Sequence, residues 1–217
     1  MARHRVADRS VPASERAKTK GQRTRARIVR EAADLFNVRG YSGTSVADVS
    51  AAAGLEKGGV YNHFESKDAL AMACFEYAAG AVLTRLNEAA RSGAGARERI
   101  FAILELYSTI AGQRLMKGGC PILNTAVEAD DTHPALSALA RGALNSWRAT
   151  IRDILSDGMA AGEFRLLAPA DEIATAVVAA LEGGMMLIKI YREPALMRAV
   201  TAQLSAYLQS ILVPDAR

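Results

Sequence analysis

The residues with the clearest capacity for chemistry lie in one short run after a glycine-containing turn. Lys57, Tyr61, Asn62 and His63 fall within seven positions, and Lys67 follows four residues later. Their side chains are hydrogen-bond donors and cations, which suit contacts to phosphate oxygens and to the edges of bases. The chain shows no paired carboxylates, nucleophile–base pair or phosphate loop in a believable context. The pattern therefore indicates binding of a polyanion rather than catalysis, and we expect no enzyme activity.

Two short helices joined by a tight turn must position these side chains. The first is predicted to begin at Thr44 or Ser45, where Asp48 three positions after Ser45 resembles a capping box, and to end at Gly54. The second is predicted over residues 57–63. A pair this short cannot bury enough apolar surface to fold alone, so it must be supported by other elements.

The preceding segment predicts the supporting helix. Residues 24–39 carry an apolar stripe at helical spacing, and Gly40 is a natural stop. Val60 and Phe64, four positions apart, are expected to face this helix. Ser66 is expected to cap the helix that follows.

The rest of the chain also has helical periodicity, so the predicted fold is all-α with about nine helices. The predicted domains are a basic, mostly disordered arm over residues 1–22, a three-helix domain over 23–68 that carries the polyanion-binding residues, and a larger helical domain over 69–217. The further helices are predicted at about residues 67–91, 97–114, 122–129, 134–160, 171–191 and 194–212.

Charge is distributed unevenly along the chain. Residues 1–30 contain ten Lys and Arg against two acidic residues, a net charge of +8, whereas the whole chain has +4 and the remainder therefore −4. A basic arm on a slightly acidic body points to a polyanionic partner, although a solubilising tail explains the charge equally well.

Two cysteines without CxxC spacing predict reduced thiols. There is no secretory signal pattern, and the apolar run 173–181 is too short to span a membrane, so we expect a soluble cytoplasmic protein.

The same run is apolar on nearly all sides, which predicts burial all round. Because the helix is second from the end of the chain, the simplest way to bury it is against another copy. We therefore expect a homodimer formed through the last two helices, about residues 171–212.

Residues 44–70 read TSVADVSAAAGLEKGGVYNHFESKDAL, and residues 28–41 read IVREAADLFNVRGY. Together, over residues 24–70, they resemble the DNA-binding domain of TetR-family transcriptional regulators. In the other half, the segment GCPILNTAVE at residues 119–128 looks like one branch of that family. The resemblance implies a helix-turn-helix domain and a homodimeric, ligand-responsive repressor of a palindromic operator. The open alternative is a ligand-independent activator or architectural protein.

The resemblance implies roles for particular residues. Bases are expected to be read from the positions Glu56, Lys57, Gly58 and Gly59. Phosphates are expected to be bound by Thr44, Ser45, Tyr61, His63 and Lys67, with Asn62 at adenine or phosphate. The basic segment 16–27, which includes Arg25, is expected to reach a minor groove or flanking phosphates. Two glycines among four reading positions predict few direct base contacts.

A ligand cavity is implied in the second half. The expected lining is Phe101, Leu104, Tyr107, Met116, Cys120, Asn124, Glu128, Trp147 and Met186. The absence of an evident cation there favours a neutral or cationic ligand, although most of these side chains are equally explained as ordinary core.

Two further interpretations of this half remain open. Cys120, near Lys117, could sense electrophiles or oxidants if its thiol were activated. Glu128, Asp130, Asp131 and His133 could be metal ligands, but such a bend is more typical of a solvated helix cap. We expect no metal and no cofactor.

Overall fold

The computed structural model describes residues 19–56, 58–110 and 117–214. Within these residues the fold is all-helical, as the sequence predicted. The eight helices are α1 (Lys20–Arg39), α2 (Val46–Ala52), α3 (Lys67–Arg91), α4 (Ala96–Ile110), α5 (Pro121–Ala129), α6 (Pro134–Ala160), α7 (Ala170–Tyr191) and α8 (Ala195–Ser210).

The first helix begins four residues earlier than the apolar stripe indicated. Thr19 caps α1, and its side chain and that of Gln22 accept hydrogen bonds from each other's backbone N–H groups in a capping box. The predicted arm of residues 1–22 thus overlaps an ordered helix at its end, and residues 1–18 lie outside the described part of the chain. The apolar stripe begins only at Ile28 because the first two turns of α1 are polar, so apolar spacing could not indicate the true start of the helix.

The predicted second helix of the pair is not a regular helix. We call residues 58–64 the recognition segment; Lys57 lies outside the described residues. The segment is a series of turns in which Tyr61 N bonds Gly58 O (3.0 Å) and Phe64 N bonds Val60 O (3.1 Å). Gly58 has φ +95°, a left-handed conformation that an α-helix does not contain. This residue therefore prevents a helix from starting at residue 57.

Three apolar cores organise the molecule. The head core joins α1, α2 and the recognition segment to the start of α3, and it includes Ile28, Val49, Val60, Phe64 and Leu70. The body core joins the end of α3 to α4, α6, α7 and α8. A third core lies where α3 meets α5 and the first half of α6. We call α1, α2 and the recognition segment the head, and α4–α8 the body; α3 belongs to both.

Two helices, α3 and α7, are long and apolar enough to cross a membrane when only length and composition are considered. The sequence run 173–181 had seemed too short for a span. Both helices contribute buried side chains to the cores just described, and a core helix passes the same test. Length and composition are therefore weak evidence for a membrane span here.

Phe64 anchors the recognition segment and is only 4% exposed. We predict that Phe64→Ala lowers the free energy of unfolding by about 3–5 kcal/mol, because it removes a buried ring and leaves a cavity. Urea denaturation followed by circular dichroism measures this change. Val38→Ala, at an exposed apolar position of α1, is the matched control and should change stability by less than about 0.5 kcal/mol. Equal losses in the two variants would contradict the anchoring role.

Candidate nucleic-acid interface

The turn between α1 and α2 is held by local hydrogen bonds. Ser45 caps α2 as predicted: its hydroxyl accepts from Asp48 N (3.1 Å), while Ser45 N donates to Asp48 Oδ2 (2.9 Å). The hydrogen bond from the Ser45 hydroxyl is the largest cause that lowers the pKa of the exposed Asp48 carboxyl. A well-formed cap fixes the direction in which α2 leaves the turn.

Thr44 does not face solvent, contrary to its predicted role at a phosphate. The residue is 1% exposed, and its hydroxyl donates to Gly40 O at 2.8 Å. Its side chain therefore closes the turn and leaves no hydroxyl for a phosphate. Ser45 is exposed, although its hydroxyl also donates to Asp48 Oδ2 (2.6 Å).

The recognition segment has one buried and one exposed side. Val60 and Phe64 point into the head core at 1% and 4% exposure. Tyr61 is 56% exposed, and Asn62 is also exposed. Val60 and Phe64 fix the backbone on either side of Tyr61 and Asn62, so the exposed Tyr61 and Asn62 side chains project from a supported backbone.

The other predicted contact residues of this segment differ in accessibility. Glu56 and Gly58 are exposed, whereas Gly59 and His63 are half-buried. A Cβ at Gly58 would meet no atom within 4 Å. The backbone there is bare, so a flat or grooved surface can approach it closely.

Two cations flank the segment and are held by aromatic rings. The Arg25 guanidinium lies 4.5 Å from the centre of the Phe64 ring, and the Lys67 ammonium lies 4.2 Å from that of Tyr41. Such contacts restrict long side chains without neutralising their charge. Both cations therefore keep a charge that an anionic partner can use.

The start of α3 supplies backbone donors beside Lys67. Ser66 caps this helix and accepts from Ala69 N at 3.0 Å. A helix N-terminus carries partial positive charge and free N–H groups, which favour phosphate. The predicted Ser66 cap is confirmed, and the caps, the cations and the exposed side chains form one candidate surface for a nucleic acid.

Asp68 links this surface to the body. The Tyr41 hydroxyl donates a short hydrogen bond to Asp68, which raises the pKa of Tyr41 to about 12 and lowers that of the Asp68 carboxyl. The His133 ring packs edge-on against Tyr41, and its Nε2 is 3.6 Å from Asp68 Oδ1. The first turn of α3 is therefore attached to the start of α6.

A second link, which the sequence did not reveal, joins the head to α5. The Glu128 carboxylate accepts hydrogen bonds from Tyr41 N (2.9 Å) and Ser42 N (3.1 Å). Gly40 has φ +76°, and a Cβ there would lie 2.4 Å from the Glu128 oxygens. The glycine therefore admits the carboxylate, and a charged acceptor from the body holds the turn that precedes α2.

A third link runs through amide side chains. Asn37, which is buried, donates to Lys117 O (2.7 Å) and Gly119 O (2.9 Å). Asn124 donates to Asn37 Oδ1 (2.8 Å) and accepts from the Lys189 ammonium (2.8 Å). A hydrogen-bonded chain thus reaches from α7 through α5 to α1. The only sequence signal was an amide in the GCPILN segment, which reads equally well as part of a cavity.

The predicted cavity residues do not form one lining. Asn124 and Glu128 bind the head, Met186 is 46% exposed on α7, and Met116 lies outside the described residues. The others divide between the body core and its edge: Leu104, Tyr107 and Trp147 are buried, Phe101 is partly buried against them, and Cys120 is buried at the start of α5.

Cys120 has the character of a neutral thiol. It is 7% exposed, and its Sγ donates to Glu182 Oε1 at 2.9 Å. Burial and the neighbouring carboxylate raise the pKa of the thiol well above its ordinary value. A reactive cysteine requires the opposite shift, so this geometry weighs against a thiolate sensor.

A cavity is present at the head–body junction, away from the aromatic residues of the body core. It is a small, partly open cleft between Phe36 and Tyr41 of the head and Phe75, Glu128 and His133, and its empty space of about 480 Å³ includes open solvent. Of the predicted lining, only Glu128 reaches it. In the described residues, no group of three or more His, Cys, Asp or Glu is arranged to hold a metal ion.

Comparison with known proteins gives two matching family models. Residues 28–74 match the model of the bacterial regulatory proteins of the tetR family, and residues 96–204 match the tetracyclin repressor-like C-terminal domain. The second match alone covers half of the chain.

Relatives of known structure have the same fold. A TetR transcriptional regulator from Chloroflexus aurantiacus J-10-fl is 42% identical with a TM-score of 0.85, over 89% of this chain and 98% of that one. A TetR-family regulator from Cytophaga hutchinsonii is 34% identical with a TM-score of 0.83, over 91% and 99%. The HTH-type transcriptional repressor DhaR of Mycobacterium sp. strain GP1 is 29% identical over 77% of this chain and 83% of its own length.

The Glu128 link makes a testable prediction. Glu128→Gln replaces a charged acceptor by a neutral one at the Tyr41 and Ser42 amides. We expect these two amides to exchange hydrogen faster, by a factor of roughly 5 to 30, corresponding to about 1–2 kcal/mol. Hydrogen exchange resolved by NMR measures this rate. Glu105→Gln, at an exposed position of α4, is the control. Unchanged exchange in Glu128→Gln would contradict the clamp.

Proposed function

Because the chain belongs to the TetR family of transcriptional regulators, we propose that it is a homodimeric repressor. Each subunit carries a helix-turn-helix domain, and the two domains of the dimer bind the two halves of a palindromic operator. A small molecule bound to the body releases the dimer from DNA. The chain is a regulator of this family and not an enzyme, and the proposal assigns its action to the cytoplasm, where the DNA is.

One observation carries the proposed DNA contact: the exposed side of the recognition segment lies between two flanking cations. Tyr61 and Asn62 project from it, and Arg25 and Lys67 stand beside it without an ion pair among the described residues. In a helix-turn-helix domain this segment enters the major groove while its flanks bind phosphates. We infer that Tyr61, His63, Lys67 and the amides at the start of α3 bind phosphate.

Base reading is proposed at residues 56–59 and at Asn62. With glycine at two of these positions, few side chains reach base edges, so the spacing of the half-sites and the shape of the DNA contribute much of the specificity. Lys57 is the side chain best suited to guanine and lies outside the described residues.

The arm of residues 1–18 also lies outside the described residues. We propose that this arm, together with the cationic start of α1 that follows it, binds a minor groove or flanking phosphates.

The dimer is proposed to form through α7 and α8. Both helices expose small or apolar side chains along one side, a surface that a second copy would cover: Ala176, Ala179, Met186 and Ile190 on α7, and Ala199, Ala202, Ala206 and Tyr207 on α8. Small residues allow helices to approach closely. A pair related by two-fold symmetry presents two heads, which must lie about 34–36 Å apart to enter successive major grooves.

Release by a ligand is proposed to act on that spacing. A ligand that prefers a dimer with another spacing shifts the population away from DNA. The helix α3 is suited to transmit the change because its Lys67 end is in the head and its Leu86 end is in the body core. A ligand-independent regulator remains the second candidate, but no contact in the structure favours it over release.

Lys67 provides the test of the DNA surface. We predict that Lys67→Ala weakens binding to an operator selected from random duplexes and reduces the slope of log K against log salt by about 1 per subunit, because one phosphate contact is lost. Fluorescence anisotropy at several salt concentrations measures both quantities. Arg91→Ala, at the exposed far end of α3, should leave the slope unchanged. A slope equally unaffected by Lys67→Ala would exclude the phosphate role.

The dimer surface is tested by charge. Ala179→Glu sets like charges close to each other across the proposed two-fold axis, and we expect it to weaken the dimer at least about tenfold. Sedimentation velocity over a range of concentrations measures the dissociation. The control is Ala138→Glu, at an exposed alanine of α6. If Ala179→Glu dissociates no more readily than the control, the dimer uses another surface.

A further inference from the structure

Glu182 is a carboxylic acid inside the body and has little to hold it there. It lies on α7 at 6% exposure, and in the described part of the chain its Oε1 accepts a hydrogen bond from the Cys120 thiol alone. Its other oxygen, Oε2, is buried and has no hydrogen-bond partner among the described residues. A thiol is a weak donor, so a charged carboxylate at this position lacks the partners that buried charges ordinarily have.

An aromatic pair adjoins this acid through Tyr107, which interacts electrostatically with Glu182 and stacks on Trp147. Tyr107 and Trp147 stack with ring centres 5.3 Å apart and an interplanar angle of 10°. The indole Nε1–H of Trp147 is buried and finds no acceptor in the described part of the chain. Burial raises the pKa of the Tyr107 hydroxyl well above its ordinary value, and the neighbouring Cys120 and Glu182 raise it further. The Tyr107–Trp147 stack is thus associated with one unpaired acceptor, Glu182 Oε2, and one unpaired donor, Trp147 Nε1, among the described residues.

Near Glu182, helices α4 and α7 are connected through side chains rather than by extended packing against each other. Within the described residues, α4 packs along α3, α6 and α8, and α7 packs along α6 and α8, but α4 and α7 make no extended contact with each other. Tyr107 of α4 connects the two sides, because it stacks on Trp147 of α6 and interacts electrostatically with Glu182 of α7. Side chains change rotamers at lower cost than packed helices separate, so this is where the body can admit a small guest.

We propose that Glu182, Tyr107 and Trp147 form a binding site for a small organic cation with an apolar or aromatic group, such as an arylalkylammonium. The ammonium pairs with the free Glu182 oxygen. The aromatic rings pack against the apolar part of the ligand, and their faces attract the ammonium charge. The site stands on its own residues; the role of such a cation as the inducer rests on the proposed function.

The surroundings of Glu182 select the sign of the ligand charge. Among the described residues, the titratable groups that interact with it from the packed elements are Cys120 and Tyr107, and neither is cationic. Burial raises the pKa of Glu182 to about 7, with the Cys120 hydrogen bond acting in the opposite direction. An anion would find repulsion and no counter-charge, whereas a cation restores the ionised carboxylate and supplies its missing donor.

The test uses three probes of one shape: 4-phenylbutylammonium, 4-phenylbutanol and 4-phenylbutanoate. Trp147 is the single tryptophan of the chain, so its fluorescence reports from the proposed site. We expect the ammonium to quench or shift this emission with an affinity at least about tenfold above that of the alcohol, and the carboxylate to bind weakest. No change in emission, or preferred binding of the carboxylate, would overturn the proposal.

Two measurements assign the effect to Glu182. Glu182→Gln keeps the shape and removes the charge, so it should lower the ammonium affinity about tenfold and leave the alcohol unchanged. Glu172→Gln, at an exposed acid of the same helix, is the matched control and should alter neither. In the unsubstituted protein, lowering the pH from about 8.5 to 5.5 should weaken ammonium binding alone, because Glu182 becomes protonated below its pKa of about 7. If Glu182→Gln does not fold, this pH series decides, and a pH-independent affinity overturns the site.

The outcome for the proposed function is read separately. Operator binding is followed by anisotropy with and without the ammonium probe. Tryptophan quenching without operator release leaves the cation site standing and contradicts its role in induction. Operator binding by a protein whose tryptophan responds to none of the probes overturns the cation site and leaves DNA binding intact.

Discussion

The structure depends on one constraint: α3 is buried in three apolar cores at once. Near its start, Leu70 and Cys74 pack with the recognition segment in the head core; further along, Phe75 packs against α5 and α6, and Leu86 is enclosed by the body. Close packing resists small displacements, so a helix shared by all three cores cannot move in one without disturbing the others. Its orientation therefore sets the orientation of the head, and a change in the body that tilts α3 must either move the head or lose buried contacts.

The recognition segment is positioned by something other than regular helix formation. Gly58 adopts a left-handed conformation, and the following residues form successive turns closed by local backbone hydrogen bonds. Its stability comes from Val60 and Phe64, which are nearly fully buried in the head core. A surface held by side-chain anchors can present backbone as well as side chains to DNA. This arrangement suits recognition that relies on groove shape and phosphate position, with a small number of base contacts.

Local signals in the sequence predicted local structure well. The Ser45–Asp48 cap, the Ser66 cap and most helix bounds are confirmed because each depends on a few neighbouring residues. The burial of Thr44 weighs against its predicted phosphate contact, and nothing in the sequence distinguishes a hydroxyl facing solvent from one that closes a turn on Gly40 O. The environment of Glu182 could not be predicted from the sequence, because Cys120 and the aromatic pair come from helices far apart in the chain. Such juxtapositions require the fold itself, and a lone Glu in an apolar helix was the only available indication.

The buried acid and the DNA-binding head are joined by a single short helix. Cys120, which donates to Glu182, is the N-cap residue of α5, and Glu128, which holds the Tyr41 and Ser42 amides, lies at the other end of the same helix. A nine-residue helix is about 13 Å long, so the two contacts lie on one short element. Lys189, two turns beyond Glu182 on α7, also bonds α5 through Asn124. A cation bound at the proposed site would compete with Cys120 for the Glu182 side chain, and a resulting shift of α5 would reach the turn that Glu128 holds. These contacts of α5 add a second connection between body and head beside the one through α3.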